Sequence, residues 1–262
     1  MSTSTAPLRW REYAIEAALL AAFMLAAVGA TTLLQYPGSP VRHALPNAAF
    51  RRSLLGLAMG ATAAAIIYSP WGRRSGAHIN PSITLTYLRL HKITTRDAAC
   101  YVAAHFLGAI TGLTAGALLL GGIAASSEVN YVATVPGPSG TTAAFAAEAA
   151  ISFGMMTMIL AVSNTPRISR FTGALAACLV ALYITVESPV SGMSMNPARS
   201  FAPAVAAGSL QVWWVYVVAP VAGMLGAAEI YVRRHGHAAV RCAKLHHGSD
   251  GPCHFHCLYT PQ

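Results

Sequence analysis

Three groups of residues in this 262-residue sequence stand where they could do chemistry. The first is an Asn-Pro pair that occurs twice. Ser75-Gly76-Ala77-His78-Ile79-Asn80-Pro81-Ser82 and Ser191-Gly192-Met193-Ser194-Met195-Asn196-Pro197-Ala198 share the pattern Ser-Gly-x-x-apolar-Asn-Pro. A carboxamide carries two N–H donors and an acceptor oxygen. Proline suits the first turn of a helix, where its missing N–H would have had no helical partner. Each pair therefore reads as a hydrogen-bonding side chain at the start of a short helix, at the positive end of its dipole. Arg199, three residues past Asn196, could add a fixed charge. The second group is two isolated glutamates in matching runs, Glu16-Ala17-Ala18-Leu19 and Glu148-Ala149-Ala150-Ile151. The third is a cluster of His and Cys near the C-terminus.

The elements that carry these residues follow from how little charge the chain has. It is 55% hydrophobic and 10% charged, whereas soluble domains carry about 25% charged residues. The net charge of +9 is spread between apolar runs rather than gathered on one surface, which argues against a nucleic-acid partner. Uncharged runs include 25 residues between Glu16 and Arg42, 30 between Asp97 and Glu128, and 29 between Arg199 and Glu229. About 20 mostly apolar residues cross a bilayer as a helix. Six spans are expected, near 14–34, 53–69, 97–121, 143–163, 170–187 and 211–233. The first is read as retained, because it lacks the small-residue cleavage pattern of a signal peptide. With the N-terminus placed in the cytoplasm, 13 of the 17 Lys and Arg fall on that side, and six spans return the C-terminus there.

Glutamate, second helix, Ser-Gly-x-x-x-Asn-Pro, third helix is thus a unit met twice. Three spans per unit turn the second upside down relative to the first, and such inverted repeats place their sites where the halves meet. Polar, Gly-rich backbone at membrane depth must be buried in protein or line a watery cavity. The expected fold is an all-α membrane protein of six transmembrane helices and two re-entrant half-helices. The repeat would occupy 1–235, as halves near 10–120 and 140–233, with 236–262 as a cytoplasmic tail. Gly108, Gly112 and Gly116, and Gly56 and Gly60, recur every four residues and would let helices approach closely.

On these motifs the sequence resembles the aquaporin, or major intrinsic protein, family over roughly residues 10–234. Asn80-Pro81-Ser82 and Asn196-Pro197-Ala198 match its two Asn-Pro-Ala boxes, and the longer Asn-Pro-Ala-Arg-Ser form of the second is specific. The resemblance implies a passive water channel, assembled as a tetramer in the plasma or inner membrane, without enzymatic activity. Asn80 and Asn196 would donate to the oxygen of a passing molecule while the two dipole ends repel protons and cations. It also implies that Arg199 belongs to an outer constriction, that Glu16 and Glu148 brace the re-entrant loops, and that His78 lies at the cytoplasmic vestibule. The constriction positions fall on Ile184, on Met193, and on Met59 or Gly60. The aromatic and histidine typical of strongly water-selective members are missing there, and Ser82 replaces the usual Ala. Ser200 and Ala204 stand where glycerol facilitators typically have Asp and Lys. A channel for water that also passes small neutral solutes is expected. A facilitator of glycerol or ammonia type is the alternative, and a secondary transporter a more distant one. His105 is read as a helix-contact residue.

The tail holds Cys242-x3-His246-His247 and Cys253-His254-Phe255-His256-Cys257. Thiolates and imidazole at these spacings could make a tetrahedral zinc site from Cys242, His246, Cys253 and Cys257. The alternative is a polar tail whose His and Cys are incidental. A cytoplasmic location argues against structural disulfides, and Cys100 and Cys178 fall in apolar spans as ordinary packing residues.

Overall fold

The computed structural model describes residues 8–247 and 253–259. The chain forms α1 (Trp10–Gln35), α2 (Pro40–Ala44), α3 (Ala48–Tyr68), α4 (Pro70–Ser75), α5 (Pro81–Arg89) and α6 (Thr95–Leu120), then α7 (Gly140–Ser163), α8 (Thr172–Val186), α9 (Ser188–Ser191), α10 (Pro197–Ala206) and α11 (Val215–His235). The described residues contain no strand. Six helical segments are long and apolar enough to cross a membrane, built on α1, α3, α6, α7, α8 and α11. The fifth, Ser169–Val186, is the shortest and reaches 18 residues only because a 3-10 turn extends the 15-residue α8 at its start. Leucines such as Leu57, Leu107, Leu118 and Leu119 are exposed on the outside of the bundle, where lipid rather than water is the natural neighbour.

The spanning helices pack as α1 with α6, α7 with α11, and α3 with α8 across the two halves. Small residues set those crossings. A Cβ on Gly108 would lie 2.3 Å from the Ala17 carbonyl oxygen, and one on Gly223 the same distance from that of Ala149. Each glycine thus lets a third helix ride on the first helix of its own half, beside the turn that carries Glu16 or Glu148. The inverted repeat read from the motifs reappears here as packing.

The half-helices α5 and α10 begin at Pro81 and Pro197 and are capped by Asn80 and Asn196. The backbone before each cap repeats turn for turn. Gly76, Ala77 and Ile79 have φ of 105°, 56° and 41°, and Gly192, Met193 and Met195 have 84°, 53° and 55°. Left-handed conformations cost non-glycine residues about 1–3 kcal/mol each and persist only where surrounding contacts hold them. Those contacts come from the glutamates.

Candidate functional site

Alternating the hand of successive residues turns consecutive backbone N–H groups to one side of the chain, making a concavity that grips an anion. Here the anion is a carboxylate of the same chain. Glu148 accepts from Ser191 Oγ, Ser194 N and Met195 N, each at 2.7 Å. Glu16 accepts from Ser75 Oγ at 2.6 Å, His78 N at 3.2 Å and Ile79 N at 2.6 Å. It takes a fourth bond at 2.8 Å from His105 Nε2. Both glutamates are fully buried. With the N–H groups turned to the glutamates, the loop carbonyls are left to face the other way. Tyr101 and Tyr216 tie each loop further, donating at 2.6 Å to the carbonyls of Ser75 and Ser191.

At the loop tips the two halves lock together. Asn80 Oδ1 accepts from Ser82 N at 2.8 Å, and Asn196 Oδ1 accepts from Ala198 N and Arg199 N at 3.1 and 3.2 Å. Each carboxamide nitrogen then donates across the pseudo-twofold, Asn80 to the Met195 carbonyl and Asn196 to the Ile79 carbonyl, both at 2.8 Å. One N–H per asparagine is left over. Both asparagines line an internal cavity of about 170 Å³. It runs from Thr31 and Ser188, on the side away from the termini, past the asparagines to Ala77, His78 and Leu245 on the terminal side.

Arg199, Met193, Ile184 and Met59 all line this cavity. Arg199 Nη1 is buried with no hydrogen-bond partner, leaving a donor for a molecule in the cavity. Gly60, the other residue matched to that place on the second helix, is turned away. A Cβ there would lie 2.5 Å from the Ala177 carbonyl oxygen of α8, so the position is filled by a helix contact and Met59 supplies the wall. His78 lies between the rings of Tyr87 and Phe255, with centroids 5.3 and 5.4 Å away. Its Nε2 is 2.8 Å from the Ala243 carbonyl, which can only accept, so Nε2 carries the proton and Nδ1 accepts from Thr84 Oγ1 at 2.9 Å. Ser200 joins a buried hydroxyl chain with Ser194 and Thr134.

Sequence reasoning missed one partnership. His105 is a helix-contact residue, as its position implied, yet its contact is Glu16 itself. Residue Pro220 stands at the equivalent place in α11, four residues beyond Tyr216 as His105 is four beyond Tyr101, so no comparison of the halves could reveal it.

A model of the family described as "Major intrinsic protein" matches residues 4–231. The chain belongs to the major intrinsic protein family. Among its relatives, "Aquaporin NIP3-1" of Oryza sativa subsp. japonica is 36% identical over 162 residues, covering 61% of this chain and 50% of that protein. "Aquaporin NIP3-1" of Arabidopsis thaliana is 34% identical over 183 residues, covering 68% and 55%. The match thus spans little more than half the length of these curated relatives. The X-ray structure of the aquaglyceroporin from Plasmodium falciparum superposes with a TM-score of 0.69 at 21% identity, over 85% of this chain and 95% of that one, and fixes the fold. With six apolar spans, this family member is a multi-pass integral membrane protein.

The tail folds back onto the terminal side of the bundle and brings four ligand atoms together. Cys242, His247, Cys253 and Cys257 offer donors that all lie within 4.8 Å of one another. The three cysteines are those expected from the spacing, but the histidine differs. His246 instead packs edge-on against Tyr68, with ring centroids 4.9 Å apart. With His246 held against Tyr68, its neighbour His247 is the one that faces the cysteines. Cys253 is held well below the usual thiol range by its hydrogen bond with Cys242, whose own thiol is pushed up.

Proposed function

We propose that this protein is a passive, non-enzymatic channel for water that also admits small neutral solutes and excludes protons and ions. The observation that carries the reading is the reciprocal pair of asparagines. Each has its oxygen committed to its own half-helix and one N–H committed across the pseudo-twofold, so only a donor remains for the permeant. A molecule bound through its oxygen by two such donors cannot relay a proton along a file of waters. The ends of the helix dipoles at Pro81 and Pro197 add a positive potential against cations. Arg199 contributes a fixed charge and an uncommitted donor at the outer constriction, and Glu16 and Glu148 hold the loops in shape.

The second reading, a facilitator of glycerol or ammonia type, is favoured by the constriction itself. Met59, Ile184 and Met193 give an apolar wall with few groups to discriminate among small uncharged molecules. We place both termini in the cytoplasm on the distribution of Lys and Arg, and a tetramer in the plasma or inner membrane on the family resemblance. Transport needs no cofactor, and the tail ligands form a separate zinc site. Stopped-flow light scattering on proteoliposomes, with water and then glycerol gradients, tests the reading. With metal stripped from the tail, faster shrinkage than protein-free vesicles is expected in water gradients, and no acceleration with either solute refutes it.

A further inference from the structure

The tail does more than lie against the bundle. Residues 242–245 are wedged into the terminal-side mouth of the cavity, each 6% exposed or less, and the Leu245 side chain forms part of the cavity wall. Leu245 N donates to the Gly76 carbonyl at 3.1 Å, and Ala243 O accepts from His78 two residues before Asn80. Phe255, buried beside them, stacks on His78. It also approaches to 2.9 Å of the place a Cβ on Gly76 would occupy, so the missing side chain at Gly76 is what admits it. The tail is therefore hydrogen-bonded to the same re-entrant loop whose far end holds the central asparagine, and it presents an apolar side chain to the path.

The two tail pieces that make this contact, 242–245 and Phe255, are joined to each other by the cysteine and histidine cluster. Cys242 Sγ is 3.5 Å from Cys253 Sγ, and His247 Nε2 is 3.1 Å from Cys257 Sγ. Ligands of a tetrahedral zinc ion, with Zn–S near 2.3 Å and Zn–N near 2.0 Å, sit roughly 3.5–3.8 Å apart. Two of the six pairs thus already lie within a few tenths of an ångström of that spacing, and all six fall within 4.8 Å, so closing on such an ion needs shifts of about 1 Å or less. A Cys3His set is a structural zinc type, and it takes one ligand pair from each side of residues 248–252.

We propose that Cys242, His247, Cys253 and Cys257 bind zinc, and that the zinc-stapled tail is a plug that closes the terminal-side mouth of the pore with Leu245. Without the metal the two tail pieces lose their common anchor, the docked arrangement weakens, and the pore opens. The proposal rests on the channel reading given above.

The test uses the full-length protein in proteoliposomes, zinc-loaded or stripped with a high-affinity chelator, with metal content measured on the same samples. Zinc at about a hundred times its Kd shifts a docking equilibrium by about a hundredfold; for a stripped tail with a docking constant of about 0.1 that takes the open fraction from about 0.9 to about 0.09, so stripping is expected to raise water permeability by about tenfold, and zinc to reverse it. Cys253→Ser with Cys257→Ser should be permanently fast and zinc-insensitive. Leu245→Ala should be fast while still binding one zinc per chain, which separates the plug from the staple and from misfolding. Equal permeability of zinc-loaded and stripped protein overturns the plug and leaves the channel reading standing. Absence of bound zinc overturns the staple. Failure of every form, stripped and variant alike, to pass water or glycerol overturns the channel reading and the plug with it.

Discussion

Replacing Glu148 by Gln tests whether a buried carboxylate holds the second re-entrant loop. The carboxylate takes three donors at 2.7 Å, and only Ser191 can reverse its role and accept. A glutamine has one acceptor oxygen. If that oxygen keeps Ser194, the new amide group faces Met195 N; if it keeps Met195, Ser194 N is stranded. Either way one backbone N–H at membrane depth loses a bond to a charged acceptor. Such a bond contributes about 1.5–3 kcal/mol and a stranded buried donor costs about 1–3 kcal/mol, so a net loss of about 2–4 kcal/mol is expected. The first loop should suffer less from Glu16→Gln. There the oxygen can serve Ile79 N and His105 together while the amide donates to Ser75 Oγ, and only the long 3.2 Å bond from His78 N is given up. That loss is about 1 kcal/mol. By the usual conversion for chains of this size, midpoints should fall by roughly 5–15 °C for Glu148→Gln and about 2–4 °C for Glu16→Gln. Thermal unfolding of the detergent-solubilised protein, followed by helical circular dichroism beside water permeability, measures both. Equal shifts, or a larger one for Glu16→Gln, would refute the account of how the loops are held.

Other substitutions separate neighbouring roles. Arg199→Val removes the fixed charge at the constriction, and small cations should then carry current across planar bilayers; a bilayer as silent as with the native protein would count against the filter. Met59→Ala should widen the wall and raise the glycerol-to-water permeability ratio about twofold or more. Gly60→Ala drives a Cβ toward the Ala177 carbonyl and should cost about 1–3 kcal/mol without changing that ratio, so exchanged phenotypes would reverse the register. His247→Ala should abolish zinc binding and His246→Ala retain it, as measured by metal analysis of the purified proteins.

Much of the architecture is legible in the chain because a bilayer simplifies the code. Long uncharged runs can only be spans, and Asn80 with Asn196, Glu16 with Glu148, and the glycine steps announce the inverted repeat. What could not be read is which way particular side chains turn. Met59 and Gly60 differ by one residue, about 100° around a helix, and only the docking of α3 on α8 decides which of them meets the cavity. His105 gives no hint of Glu16, 89 positions earlier, until α6 rides on α1 at Gly108 and Gly112. His246 and His247 have the same side chain, and Tyr68 decides between them by packing against the first.

The sequence alone determined the solvent, the repeat and the chemical groups of the pore, because hydropathy, spacing and residue type are local properties. The tertiary structure decided the rest. It set the carboxylates into the loops' N–H concavities, left one free donor on each asparagine, and laid the C-terminal tail over the mouth of the cavity. Those outcomes depend on contacts between residues far apart in the chain, whose geometry exists only once the helices have packed.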